Sequence, residues 1–279
     1  MDGLLPWLEA IVLGSVQGLT EFLPISSSAH LRIVGEFLPS ATDPGAAFTA
    51  ITQIGTEAAV LLYFRHDIWR IAAAWMRSPW ARHPEEASDV RLGWLVLIGS
   101  LPIAVLGLLL QEWIEGSLRH LYITASMLIV FGIVLGVADR WGMRKRELAG
   151  MTLRDGILLG FAQAMALVPG VSRSGGTISV GLLLGYTREA AARYSFLLAI
   201  PAVLASGFYQ LFRHWGEFGP FGFGQTALAT AISFIVGYGV IVAFLRIIST
   251  YSFMPFVWYR VAIGLTLLGL LASGILLPI

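Results

Sequence analysis

The chain has 279 residues, 57% of them hydrophobic and only 13% charged, with a mean hydropathy of +0.77. Charge that sparse cannot cover a water-facing surface, since a soluble domain carries about a quarter charged residues, so most of the exterior must face lipid. The net charge of +1 gives no electrostatic reason to expect a nucleic-acid partner, and the lack of cysteine excludes disulfides and thiolate metal sites.

The first apolar region, residues 4–38, lacks a basic leading segment and is interrupted by Glu9, Gln17 and Glu21. It is expected to belong to the mature fold rather than to a cleaved signal. Leu-Pro-Ile-Ser-Ser-Ser at 23–28 breaks it into halves mostly too short to cross a bilayer, which needs about 20 apolar residues. Three spans are predicted next, at 46–64, 92–110 and 121–138. A second broken region, 152–185, is interrupted by Pro-Gly-Val-Ser-Arg-Ser-Gly-Gly at 169–176. Three further spans are predicted at 189–212, 225–246 and 256–277. The two broken regions read as re-entrant hairpins, each a half-helix, a polar loop and a second half-helix.

At a fixed offset of 146 residues the hairpins align without a gap. Ile11, Leu13, Gly14, Gln17, Ser26, Ser28, Val34, Gly35 and Leu38 recur as Ile157, Leu159, Gly160, Gln163, Ser172, Ser174, Val180, Gly181 and Leu184. Chance from composition gives roughly three such identities. The acidic pairs Glu9/Asp155 and Asp43/Glu189 keep the register. The expected architecture is all-α: one membrane domain of two repeats, 1–148 and 149–279, each a hairpin followed by three transmembrane helices. A hairpin returns to its own side and three spans do not, so the repeats must have inverted topology, a transporter-like plan.

Basic residues set the orientation. Arg65, Arg70, Arg77, Arg82 and Arg91 follow the first span, and Arg140, Arg144, Lys145, Arg146 and Arg154 follow the third, against Arg119 and Arg213 in loops on the other side. The Arg-rich side is therefore expected to be cytoplasmic, with both termini outside and the first hairpin entering from outside. Trp69, Trp75, Trp80, Trp94 and Trp141 flank spans as an interfacial belt would.

Chemistry concentrates in the hairpins. In the first, Gln17 and Glu21 are four residues apart and share a helix face. Pro24 ends that half-helix, Ser26, Ser27 and Ser28 stand where the next begins, and His30 falls on its first turn. Capping accounts for one serine, but not for a carboxylate, hydroxyls and an imidazole in one membrane segment, where each charge costs about 2.5–3.5 kcal/mol. In the second, Gly175 and Gly176 allow close backbone approach, the following helix points its N-terminus at an anion, and Arg173 offers a fork of donors suited to phosphate. Ser172, Ser174 and Thr177 add hydroxyls. Tight packing is the alternative use of the glycines.

A base or nucleophile facing a phosphate clamp suggests phosphoryl transfer to water. His30 as nucleophile and His30 as general base for Ser27 both suit the residues. Gln17 and Glu21 suit a divalent cation, and Glu21 equally suits orienting His30. The alternative from another class is a transporter or flippase of a phosphate-bearing lipid or solute, which the inverted repeat itself suggests.

These residues carry a specific resemblance. The first hairpin matches (E/Q)xxxE followed by a serine pair and a histidine (Gln17, Glu21, Ser26, Ser27, His30), and Pro169–Thr177 matches PGxSRSxxT in full. The chain resembles the bacterial undecaprenyl-diphosphate phosphatase, or bacitracin-resistance, family along its whole length. The resemblance implies hydrolysis of undecaprenyl diphosphate to the monophosphate in the bacterial cytoplasmic membrane, recycling the lipid carrier for peptidoglycan and other cell-wall glycans. It implies a Mg²⁺ or Ca²⁺ ion held at Glu21 and Gln17, and catalytic roles for Glu21, Ser27, His30 and Arg173. Substrate-binding roles fall to Ser26, Ser172, Ser174, Gly175, Gly176 and Thr177. The expected partner is a polyprenyl diphosphate reached from the outer side, and the expected assembly a homodimer. Position 17 is glutamine where many members have glutamate, which removes one negative ligand. Glu57, inside the first span, is expected either to line the site or to pair with an arginine, Arg260 to snorkel, and His66, His83, His120 and His214 to be solvated.

Overall fold

A computed structural model describes residues 3–39, 43–77, 84–215 and 220–278; Trp80, Arg82 and His83 lie outside the described residues. The described chain is helical, with α1 (Leu5–Thr20), α2 (Ser27–Phe37), α3 (Gly45–Tyr63), α4 (Arg65–Arg77), α5 (Pro84–Leu109), α6 (Gln111–Glu115) and α7 (Leu121–Trp141). The second half contains α8 (Leu153–Ala164), α9 (Arg173–Leu183), α10 (Arg188–Arg213), α11 (Phe223–Ile248) and α12 (Met254–Ala272). Six helices, α3, α5, α7, α10, α11 and α12, are long and apolar enough to cross a membrane, so this is a multi-pass membrane protein.

Departures from the expected boundaries are local. The basic stretch after the first span is itself helical: α4 follows α3 after the single residue Phe64, and α5 begins at Pro84, well before residue 92. The last span stops at Ala272 rather than 277, where Gly274 takes a left-handed φ of +74°. α1 ends at Thr20, and residues 21–25 form the turn, so the break precedes Pro24.

Packing places the two helix–turn–helix segments at the centre. α1 lies against α11, and α8 against α5; α11 packs on α3, and α5 on α10. α3 and α10 pack on each other, as do α7 and α12, while α9 is held by α7, α8 and α10. Small residues permit this closeness, as is general between membrane helices. A Cβ at Gly14 would stand 2.5 Å from the Ala229 carbonyl oxygen, and one at Gly160 would stand 2.5 Å from that of Gly99. Positions matched by the 146-residue offset adopt matching environments. Leu13 and Leu159 are buried, as are Gln17 and Gln163, while Ile11 and Ile157 face outward.

Candidate functional site

The turn after α1 and the turn before α9 meet in the interior. Each leads into its second helix through a serine with a left-handed backbone: Ser26 has φ +76° and Ser172 φ +71°. An L-residue held there costs about 1–3 kcal/mol and persists only where its surroundings demand it. Both loops repeat one further detail, an Oγ–Oγ separation of 3.3 Å, in Ser26–Ser28 and in Ser172–Ser174. Their capping differs. Ser172 Oγ accepts from the Gly175 amide at 3.1 Å, whereas Ser26 occupies the cap position of α2 without a side-chain cap bond. The serine cap expected in the first hairpin is thus missing at Ser26, while Ser172 caps α9, where none was expected.

Glu21 is the junction. Its Oε2 accepts from Gln17 Nε2 at 2.7 Å and from Ser27 Oγ at 2.5 Å. Its Oε1 accepts a close hydrogen bond from Arg173 Nη2, across the two hairpins. Arg173 Nη1 lies 3.9 Å from Glu57 Oε2 and has no hydrogen-bond partner among the described residues. Glu57, only 1% exposed, thus both lines the site and pairs with the arginine. Ser174 Oγ donates to the Leu23 carbonyl at 3.1 Å, a second tie between the loops. Thr177 donates to the Arg173 carbonyl at 2.8 Å and contacts Ser195 of α10, fixing the first turn of α9.

Gly175 and Gly176 are closely packed. Their amides donate to Ser172 Oγ and to the Ser172 carbonyl. A Cβ at Gly175 would stand 2.7 Å from Arg260 Nη1, and one at Gly176 3.0 Å from the Ala162 carbonyl oxygen.

His30 makes its hydrogen bonds to groups other than Ser27 and Glu21. Its Nδ1 donates to the Ser26 carbonyl at 2.7 Å, and its Nε2 is 2.7 Å from the Tyr259 hydroxyl. Glu21 therefore orients Ser27 rather than the imidazole, because the Ser26 carbonyl and Tyr259 already take both ring nitrogens.

The expectation that Arg260 snorkels is overturned. It is fully buried and donates to Pro24 O and Gly170 O at 2.8 Å, Val171 O at 3.0 Å and Leu128 O at 3.2 Å, with Met127 O at 3.4 Å. No carboxylate pairs with it among the described residues. It joins both turns to α7, and Gly132 makes room, since a Cβ there would lie 3.1 Å from Arg260 Cβ. Tyr259, Ser195 and the bracing role of Arg260 were not legible in the sequence. The one available signal was a full charge inside an apolar span.

The oxygen set suits a hard cation. Glu21, Glu57 and the Gln17 side-chain carbonyl are all oxygen donors, and Gln17 Oε1 and Glu57 Oε1 are buried without a hydrogen-bond partner among the described residues. No cluster of three or more His, Cys, Asp or Glu side chains suited to a metal occurs among the described residues, so the amide carbonyl is needed to complete a third protein ligand.

Residues 10–266 match the family model described as bacitracin resistance protein BacA. Over 97% of both chains, the protein is 69% identical to undecaprenyl-diphosphatase 2 of Agrobacterium fabrum. It is 61% identical to the undecaprenyl-diphosphatase of Micrococcus luteus, over 97% of this chain and 99% of that one. With undecaprenyl-diphosphatase 2 of Streptomyces avermitilis the identity is 56%, over 98% and 97%.

Proposed function

The chain belongs to the bacitracin resistance protein BacA family, and we propose that it is a membrane phosphatase hydrolysing undecaprenyl diphosphate to undecaprenyl phosphate and inorganic phosphate. That activity recycles the lipid carrier of cell-wall glycan synthesis. One observation carries the reading: a single carboxylate, Glu21, receives the Ser27 hydroxyl from one hairpin and the Arg173 guanidinium from the other. A nucleophile–base contact is thereby set beside a phosphate-binding cation.

In the proposed mechanism the Ser27 hydroxyl attacks the terminal phosphorus while its proton passes to Glu21 Oε2. The bond from that phosphorus to the bridging oxygen breaks, and undecaprenyl phosphate leaves as an anion that needs no proton. Arg173 Nη1, which has no hydrogen-bond partner among the described residues, donates to a non-bridging oxygen. Water then attacks the phosphoserine, His30 takes its proton at Nε2, and Ser27 recovers its own from Glu21 as phosphate departs. Glu21, Glu57 and Gln17 would hold a divalent cation, Mg²⁺ or Ca²⁺, which when bound supplies neutralisation of diphosphate charge.

The two segments are read as re-entrant hairpins of inverted repeats, 1–148 and 149–279. Support comes from the packing pairs, which interchange when α1, α3 and α11 are replaced by α8, α10 and α5. With the Arg-rich side cytoplasmic, the site is reached from the periplasmic side, and both termini lie there. A homodimer is the proposed assembly, checked by the mass of the detergent-solubilised particle. The same symmetry favours a second reading, lipid movement between leaflets; hydrolysis in proteoliposomes without faster lipid exchange would dismiss it.

The test is phosphate release from a C15 or C55 prenyl diphosphate with Mg²⁺, with Ca²⁺ and with chelator, beside mass spectrometry of residue 27. His30→Ala should accumulate phosphoserine at Ser27 and Ser27→Ala should form none. Phosphate release by Ser27→Ala at the wild-type rate would remove the serine from the mechanism, and no release by folded wild type would remove the enzyme.

A further inference from the structure

We propose that Tyr259 of α12 is a positioning residue for His30, and so a third arm of the site beside the two hairpins; this rests on the reading of His30 as the base. A carbonyl oxygen only accepts, so the bond from His30 to Ser26 O requires the proton on Nδ1. In the neutral ring the lone pair is then on Nε2, the atom that must receive a proton in the reaction. Tyr259 donates its hydroxyl to that atom at 2.7 Å. The rings lie nearly parallel, 10° apart in plane and 5.5 Å between centroids. With partners on opposite sides of the imidazole, one from the first hairpin and one from the last helix, the ring cannot turn about its χ2 axis without losing both.

Each partner is itself fixed. The Ser26 carbonyl belongs to the residue held at φ +76°, and it also accepts from the His30 amide at 3.2 Å. Tyr259 precedes Arg260, whose bonds to Pro24, Gly170, Val171 and Leu128 lock that turn of α12 to both loops. A tyrosine hydroxyl both donates and accepts. It therefore satisfies Nε2 before protonation, as donor, and afterwards, as acceptor from Nε2–H, so the imidazole keeps one orientation through the cycle. Tyr259 is 41% exposed beside the outward-facing Trp258. It reaches inward from the lipid-facing margin to the imidazole.

The experiment uses the full chain, detergent-purified, with farnesyl diphosphate as substrate. Tyr259→Phe keeps the ring and its parallel contact and removes only the hydroxyl. We expect kcat to fall by roughly 10- to 100-fold, as misorientation of a base does, with KM within about two-fold of wild type. A second readout is independent of turnover. Diethyl pyrocarbonate attacks an available imidazole lone pair, and peptide mass spectrometry reports residue 30 separately from the other histidines. Carbethoxylation of His30 should be several-fold faster in Tyr259→Phe, because the lone pair has lost its cap. Wild-type kcat, or an unchanged rate of His30 modification, would overturn the role of Tyr259. His30→Ala, run alongside, separates the two readings. If it is inactive while Tyr259→Phe matches wild type, only the tyrosine fails; if it is fully active, His30 itself is not the base.

Discussion

Replacing Arg260 by methionine removes the guanidinium and keeps most of the side-chain volume. Four of its hydrogen bonds are 3.2 Å or shorter. At about 1.5–3 kcal/mol for each bond to a charged donor, the gross loss is about 6–12 kcal/mol. Relieving a buried charge in the bilayer returns about 2.5–3.5 kcal/mol. The net should fall near the lower end, about 3–5 kcal/mol, the usual cost of breaking a buried charged network and stranding its partners. In a chain of this size that corresponds to a fall in Tm of roughly 10 °C. Three of the stranded carbonyls belong to Pro24, Gly170 and Val171, so the damage is centred on the two turns that carry the proposed site. The assay is a detergent melting curve for Arg260→Met and Arg260→Lys, with phosphate release measured well below Tm. Lysine keeps the charge but offers three donors from one point, so it should fall between wild type and methionine. A wild-type Tm and wild-type turnover for Arg260→Met would refute the argument that this residue braces the site.

Ser27→Ala should lose at least about 10²-fold in kcat with little change in KM, since it removes a group acting only in the transition state; initial-rate kinetics decide it. Gly160→Leu should destabilise by about 1–3 kcal/mol or more, because the obstructing atom is the Gly99 backbone, whereas Gly269→Ala should be silent, with nothing within 4 Å of its added Cβ; melting curves of the two variants give the comparison. Asp155, at the start of α8, is pushed up by burial. Hydrogen bonds from Arg146, Tyr186 and Thr152 outweigh that and hold its carboxyl at about 2, below the ordinary 3.8. Its stabilising contribution is thus complete above about pH 4 and lost as pH falls through 2. The Tm gap between wild type and Asp155→Asn should be constant at higher pH and close across that window; a gap that persists at pH 2 would contradict it. Cysteine at exposed Pro39 should react with a membrane-impermeant maleimide from outside, and cysteine at exposed Met143 only after the membrane is opened; the reverse pattern would invert the proposed orientation.

The six spans were legible because lipid imposes a one-dimensional rule, a run of apolar residues as long as the bilayer is thick. The breaks at 23–28 and 169–176 were legible for the converse reason, since proline, glycine and clustered hydroxyls interrupt such a run. The Gln17–Glu21 contact followed from helical spacing. The link from Glu21 to Arg173 crosses 152 residues of chain, and no local pattern encodes it. Arg260 was misjudged because a charge five residues from the end of a predicted span normally reaches the interface. In the fold, Gly132 opens a path inward and backbone carbonyls of both turns provide its solvation.

Composition, hydropathy and the 146-residue repeat, by themselves, determined that this protein lives in a membrane, where its six spanning helices lie and which two segments carry polar groups. Those properties follow from transfer between water and lipid, which acts residue by residue. Only the tertiary structure decided how those groups are shared: Glu21 with Ser27 and Arg173 rather than with His30, and His30 between Ser26 and Tyr259. Hydrogen bonds are short and directional, so their partners are chosen by the packing of helices distant in sequence.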